Sequence, residues 1–244
     1  MKIGKDFMEK TKHRHLEQSD QSLGKPQPSL ELEYDPAAQL INLPLPQDLQ
    51  IDSLDISIAI QQRRSIRKYT GGHLSLAELS HLLWCTQGVQ KALPSHSLRT
   101  VPSAGARHAL ETWLVINNVS GVQPGLYRFV ASKHQLALIT HSIDNDIADQ
   151  VTGYCSNQSF IKTAAVLFIW VAVPYRMSWR YGERAYRYLH LDAGHVCQNL
   201  YLAAESIDAG VCAIASYDDD QLNTFLGLDG ESAFAIYLAT VGRK

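Results

Sequence analysis

Residues 63–69 read Arg63-Arg64-Ser65-Ile66-Arg67-Lys68-Tyr69, with four cations and a hydroxyl within six positions. The sequence predicts a helix over Ser57–Arg64, so the cluster stands where that helix ends. Binding a phosphate monoester takes donors fixed in place: arginine supplies a planar fork and serine an adjustable hydroxyl. The same residues also describe a solvated basic helix end that complements the helix dipole. Taken alone, the stretch leaves both readings open.

Working outward, Thr70-Gly71-Gly72 breaks the chain, and Ser75-Leu76-Ala77-Glu78 has the spacing of a capping box. Leu76, Leu79, Leu82, Leu83 and Val89 then give a helical apolar face. Pro102-Ser103-Ala104-Gly105-Ala106-Arg107-His108 is a run of small residues after a proline. Such a run lets backbone pass close to a flat ligand, and it equally describes a plain loop. Strands are predicted over Thr112–Ile116, Leu126–Val130 and Gln135–Ile139, and a buried strand over Ala164–Val173 that Pro174 ends. The longest predicted helix runs from about Gly182 to Ile207, where Ala185, Leu189, Ala193, Val196, Leu200 and Ala203 form one stripe. A strand over Val211–Ala215, a helix over Asp218–Leu226 and a strand over Ala233–Val241 follow. Val241-Gly242-Arg243-Lys244 closes the chain with a cation directly behind a buried-looking strand, a position from which Arg243 reaches toward a phosphate. A few strands alternating with helices make the fold α+β, a sheet with helices packed on it.

Before this region, residues 1–24 are polar and expected to fray. Lys25–Pro46 holds five of the nine prolines and reads as an extended arm lying across a surface. The expected organisation is an extension and Pro-rich arm over 1–50 and a compact domain over 51–244. At 244 residues, 45% hydrophobic and 19% charged, the chain has ordinary globular composition. Its net charge of −2 removes the electrostatic case for a general nucleic-acid binder. Cys85, Cys155, Cys197 and Cys212 are widely spaced, without a CxxC pair or a metal-ligand cluster, and read as thiols of a reducing compartment. The longest apolar run, Ala164–Val173, is about half the length of a membrane span, and no secretory h-region follows the basic start, so the expectation is cytoplasmic with no membrane partner.

Taken together, the motif at 63–67, the PSAGA loop, the strand after the long helix and the basic terminus resemble the nitroreductase family of flavin enzymes, within it the SagB/ThcOx-type subfamily. The resemblance covers roughly 51–244. Leu43-Pro44-Leu45-Pro46, the run Tyr181–Tyr188, Asp192-Ala193-Gly194-His195 and Gln198-Asn199-Leu200 extend it. It implies a nitroreductase-like fold, a central mainly antiparallel sheet flanked by helices, and an intertwined homodimer with FMN at the interface. In that arrangement Arg63 and Ser65 hold the FMN phosphate with Arg64 beside them, and Arg67 lies near the pyrimidine side of the ring. The loop Pro102, Ser103, Ala104, Gly105, Ala106, Arg107 comes from the other subunit and covers the isoalloxazine. Ala213, Ile214, Ala215 and Ser216 pass its dimethylbenzene or N5 edge, where many relatives carry Gly-Gly in place of Ala215-Ser216. Arg243 closes on the phosphate.

Members that oxidise azolines are expected to carry a catalytic Lys-Tyr pair where this chain has Arg180-Tyr181. Arginine stays protonated and cannot act as the base, which weakens that reading. The primary expectation is ping-pong transfer of hydride from NAD(P)H through FMN to a small electron-poor acceptor such as a nitroaromatic or quinone. The alternatives are an azoline or other C–N dehydrogenase, and a flavin-binding or interaction module without turnover. No metal is expected: His190 and His195 miss the i,i+4 ligand spacing. Cys212 reads as a small buried residue, with neither base partner nor pKa-lowering group evident in the sequence.

Overall fold

The computed structural model describes residues 2–143 and 146–244. In chain order its elements are α1 (Ile3–Lys10), β1 (Leu40–Asn42), α2 (Ile56–Gln62), α3 (Leu76–Gln87), β2 (Val89–Ala92), β3 (Ser97–Arg99), β4 (Leu110–Ile116), β5 (Gly125–Val130), β6 (Gln135–His141), α4 (Asp146–Tyr154), α5 (Phe160–Thr163), β7 (Val166–Ala172), α6 (Pro174–Tyr181), α7 (Ala185–Glu205), β8 (Ala209–Ile214), α8 (Asp219–Phe225) and β9 (Phe234–Arg243). Seven strands make one sheet in the order β1-β6-β5-β4-β7-β9-β8. Every pairing in it is antiparallel. β2 and β3 form a separate hairpin.

The central strands β4 and β7 are buried along their whole lengths, so both sheet faces must be covered. The pleat sends alternate residues to two layers. Leu114, Phe168 and Trp170 pack toward Leu79 and Leu83 of α3 and Leu189 and Val196 of α7. Trp113, Val115, Leu167 and Ile169 join Val151, Ile161 and Leu222 from α4, α5 and α8 on the other side. The α+β architecture with a helix-flanked antiparallel sheet is therefore the one the sequence predicts. All six residues of the α7 stripe are buried. The capping box is present: the Ser75 hydroxyl accepts the Glu78 N–H at 3.2 Å, and Glu78 accepts the Ser75 N–H at 2.7 Å.

Three local readings change. In the segment expected to fray, Ile3–Lys10 forms α1, and Arg184 and Arg187 donate to the Thr11 carbonyl (2.8 Å) and hydroxyl (2.6 Å). Basic side chains of a distant helix supply these anchors, which no local pattern announces. The arm lies across the sheet as expected, with β1 as its edge strand. It is fastened where buried Arg128 donates to the Leu32 and Glu33 carbonyls at 2.5 and 2.6 Å, and Arg176 to the Ser29 carbonyl at 2.7 Å. The long helix is preceded by a separate helix, α6, with a break at Gly182, whose φ is +51°. Pro174 ends β7 but also opens α6, since proline suits the first turn of a helix. Val89 belongs to the β2–β3 hairpin instead of α3, which stops at Gln87.

Candidate active site

The segment after α2 runs along the free edge of β8. Ser65 bridges Val211 in parallel, and the Ile66 N–H donates to the Val211 carbonyl at 2.9 Å. Gly210 permits this approach: a Cβ there would stand 2.7 Å from Ile66 Cβ. Tyr69 anchors the far end, its hydroxyl 2.7 Å from that of Thr240. Tyr201 of α7 ties the two strips together. Its hydroxyl lies 3.0 Å from Ser65 Oγ and accepts the Ala213 N–H at 2.9 Å, while the Arg63 guanidinium sits 5.3 Å from the centre of its ring.

Three arginines and a lysine project from this strip with no counter-charge among the described residues. Arg64 donates to the backbone carbonyls of Gln61 and Arg63, at 2.9 and 2.8 Å. Arg67 lies against Cys212; burial raises the pKa of that thiol, and Arg67 pulls it the other way. Among the described residues, none of Arg63, Arg64, Arg67 and Lys68 forms an ion pair. A cluster of uncompensated cations around an exposed serine has the donor chemistry of an anion site, and of a phosphate in particular.

The loop Pro102–Arg107 forms a second group. Ser103 donates to Asp192 at 2.6 Å, and its oxygen accepts the His108 N–H at 2.9 Å. The Ala104 N–H reaches the other Asp192 oxygen at 3.4 Å. Burial raises the Asp192 pKa, and the Ser103 and Ala104 bonds oppose it. Ala104, Gly105 and Ala106 make one tight turn with Gly105 at φ +60°, where a Cβ would stand 2.5 Å from Tyr181 Oη. Arg107 is buried 5.4 Å from the Trp179 ring centre and donates to the Gly105 and Ser95 carbonyls. Pro102 and Gly105 remain exposed. Arg180 is exposed, and the Tyr181 ring meets that of Tyr188 edge-on at 4.9 Å.

Within one chain these two groups are apart. Asp192 and Tyr201 both stand on α7, nine residues or roughly 13 Å along the helix. At the end of β8, Ala213 is partly buried and Ile214 buried, whereas Ala215 and Ser216 are exposed beyond the strand. Ser216 Oγ lies 2.9 Å from Ser156 Oγ.

Arg243 stands at the far end of the strip, where its carbonyl accepts the Thr70 N–H at 3.1 Å, and its side chain turns to α3. Its Nη2 donates to both Glu78 carboxylate oxygens at 2.6 Å, Nη1 to the Ile207 carbonyl at 2.6 Å and Nε to the His73 carbonyl at 3.1 Å. These bonds hold Arg243 in place in the structure; its expected phosphate role remains a proposal. The sequence shows the terminal cation but not the carboxylate that α3 brings to it. Sequence reasoning also missed Tyr201, whose hydroxyl carries no local signal, and the part played by Asp192, quoted only as part of a motif.

The nitroreductase family profile matches residues 60–243 of this chain. The nitroreductase-like protein MJ1384 of Methanocaldococcus jannaschii is 32% identical over 195 residues, which cover 80% of this chain and 93% of that protein. The trifolitoxin-processing protein TfxB of Rhizobium leguminosarum bv. trifolii is 29% identical over 151 residues, 60% of this chain and 40% of that longer protein. The crystal structure of a nitroreductase-like protein from Ralstonia eutropha superposes with a TM-score of 0.69 at 26% identity, over 89% of this chain and 93% of that one. No helix of the described residues is long and apolar enough to cross a membrane. The fold, the extent of the match and the identity to MJ1384 agree: this chain belongs to the nitroreductase family.

Proposed function

We propose that this chain is an FMN-dependent oxidoreductase acting as a homodimer on small molecules. The observation that carries the reading is the strip of cations at Arg63, Arg64 and Arg67, unpaired among the described residues and held with Ser65 against β8 by Tyr201. These residues fit a phosphorylated cofactor. Arg63 and Ser65 would hold its phosphate, Arg64 would add charge beside them, and Arg67 would favour negative charge on the pyrimidine side. When bound, FMN supplies two-electron hydride chemistry, taking electrons from NAD(P)H and passing them to an electron-poor acceptor such as a nitroaromatic or quinone. Ala213 to Ser216 line the far edge of the proposed ring position.

Residues 102–107 stand away from the cation strip of their own chain, so a second copy is what would bring this loop over the cofactor. The exposed isoleucines 56, 58 and 60 on α2, with Leu191 on α7, supply apolar surface suited to such pairing. A two-fold interface then makes two equal sites. The four cysteines are unbridged, which supports a reducing, cytoplasmic setting.

A second reading is an azoline or other C–N dehydrogenase. The likeness to TfxB, named for processing a toxin, favours it, as does Tyr181 standing against the 102–107 loop. Arg180 argues against a base at that position. The discriminating experiment is anaerobic reduction of the purified, FMN-loaded protein. Bleaching of the visible flavin band by NADH or NADPH supports the first reading. Bleaching only by an azoline-bearing peptide supports the second, and a protein that takes up no FMN contradicts both.

A further inference from the structure

The loop Pro102–Arg107 and the end of α6 meet in one solvent-facing surface that carries positive charge. Arg180 is exposed there, its guanidinium 5.7 Å from the centre of the Tyr181 ring. Its Cδ and Nε pass directly against the loop: a Cβ built on Gly105 would stand 3.2 Å from each. Gly105 is itself exposed, and the Tyr181 hydroxyl reaches the same point, 2.5 Å from that Cβ position. Glycine thus leaves bare backbone between a guanidinium and a phenol.

Neither arginine of this surface is neutralised. Among the described residues, Arg107 and Arg180 form no ion pair. Arg107, buried against Trp179, spends Nε on the Gly105 carbonyl and Nη2 on the Ser95 carbonyl, both at 3.2 Å. Burial lowers its pKa, and the nearby charge of Arg180 lowers it further. The neighbouring carboxylates do not answer these charges. Asp192 accepts from Ser103 and Ala104, and Glu183, exposed beyond the break at Gly182, pairs with neither arginine. Arg184 is turned away, to the Tyr188 hydroxyl and the Thr11 carbonyl. Arg180 therefore presents a planar fork to solvent, resting on an aromatic ring. One such fork matches a carboxylate, whereas a phosphate collects several donors of the kind that Arg63, Arg64 and Ser65 offer.

We propose that Arg180 selects the electron acceptor by charge, as a specificity-determining residue for a flat aromatic acceptor that bears a carboxylate. The inference rests on the reading of the 102–107 loop as cover for the flavin of the other subunit, since the chain that supplies the loop supplies Arg180 with it. The carboxylate accepts from the guanidinium, and the ring lies along Gly105 toward the Tyr181 hydroxyl. A phosphate on the nucleotide donor shares this anionic chemistry, and the experiment separates the two.

The FMN-loaded protein is assayed with 4-nitrobenzoate and with its neutral counterpart 4-nitrobenzyl alcohol as acceptors. The ratio of their kcat/KM values should favour the acid in the wild type and fall about tenfold in Arg180→Gln, chiefly through KM for the acid. Comparing wild type with variant cancels the intrinsic reducibility of the two acceptors. Arg180→Lys keeps the charge without the fork and should retain part of the ratio. Binding gives a second readout. Benzoate titrated into the oxidised protein should shift the visible flavin band, and its margin over benzamide should be about tenfold smaller in Arg180→Gln. The preference for NADPH over NADH should be the same in both proteins. Flavin content and circular dichroism check each variant; should Arg180→Gln not load, Arg180→Lys and the wild-type comparison of benzoate with benzamide decide. The inference is overturned if the wild type does not distinguish acid from neutral ligand, or if Arg180→Gln keeps the wild-type ratio. It is also overturned if the variant alters only the choice between NADPH and NADH, which would assign Arg180 to the donor. A protein that takes up no FMN, or whose flavin neither nucleotide bleaches, overturns the reading of the site and this inference together. A flavin reduced by nucleotide with no charge preference among acceptors overturns this inference alone.

Discussion

The Tyr201 hydroxyl stands 3.0 Å from that of Ser65 and also accepts the Ala213 N–H at 2.9 Å, so one side chain of α7 joins the basic strip to the edge of the sheet. Replacing Tyr201 by Phe keeps the ring beneath Arg63 and removes both bonds. A net hydrogen bond contributes about 0.5–1.5 kcal/mol, so Tyr201→Phe should lower unfolding stability by about 1–2 kcal/mol in urea titrations. FMN affinity should fall with it, because Ser65 loses its anchor. Wild-type stability in this variant would show that the clamp contributes nothing.

Glu78 and Arg243 predict an acid-sensitive limb. Burial pushes the Glu78 carboxyl up, but the Arg243 guanidinium and the Ser75 bonds outweigh it and hold the pKa below the ordinary value. A carboxylate with a lowered folded pKa contributes stability that is present above its unfolded pKa, about 4.3, and is lost as pH falls through the folded one. Stability should therefore decline on acidification below about pH 4.3, and Glu78→Gln should flatten that decline while costing about 1–2 kcal/mol at neutral pH. Urea unfolding across that range checks both; an unchanged acid limb in the variant would assign the decline to other carboxylates.

Asp192 predicts the opposite slope. Its folded pKa is raised, chiefly by burial, so its contribution is fully present below the unfolded pKa and is lost as pH rises through the folded one. Asp192→Asn removes the charge while keeping an acceptor for Ser103. The stability of the wild type relative to Asp192→Asn should decrease as pH rises above the unfolded value, about 3.9. A difference that stays flat or grows over this range would mean that Asp192 is stabilised as the anion.

The sequence made the core legible because the core is written in period. The α7 stripe, the Ser75–Glu78 capping box and the apolar runs of β4 and β7 each follow from a spacing, and each appears in the structure. What stayed hidden depends on partners far along the chain. Arg243 finds Glu78, 165 residues away, and Tyr201 finds Ser65, 136 residues away. The docking of α1 through Thr11 on Arg184 and Arg187 spans still more. Pro174 was ambiguous in itself, since a proline both ends a strand and starts a helix.

Gly105 sits where the turn and Tyr181 leave no room for a side chain. A non-glycine residue at φ +60° costs roughly 1–2 kcal/mol, and its Cβ would meet Tyr181 Oη. Gly105→Ala should lose about that much stability and shift the ring resonances of Tyr181 and Tyr188, which touch edge-on. Unshifted rings and wild-type stability would show that the loop does not rest on Tyr181.

The most direct measurement compares FMN with riboflavin, which lacks the phosphate, by quenching of flavin fluorescence on wild type and Arg63→Ala. If the strip at Arg63, Arg64, Ser65 and Arg67 holds the phosphate, the wild type binds FMN far more tightly than riboflavin. Arg63→Ala then weakens FMN by about 1.5–3 kcal/mol, the range for hydrogen bonds to charged groups, and leaves riboflavin unchanged. Equal affinity for the two flavins, or an Arg63→Ala protein that retains FMN as the wild type does, would contradict the account.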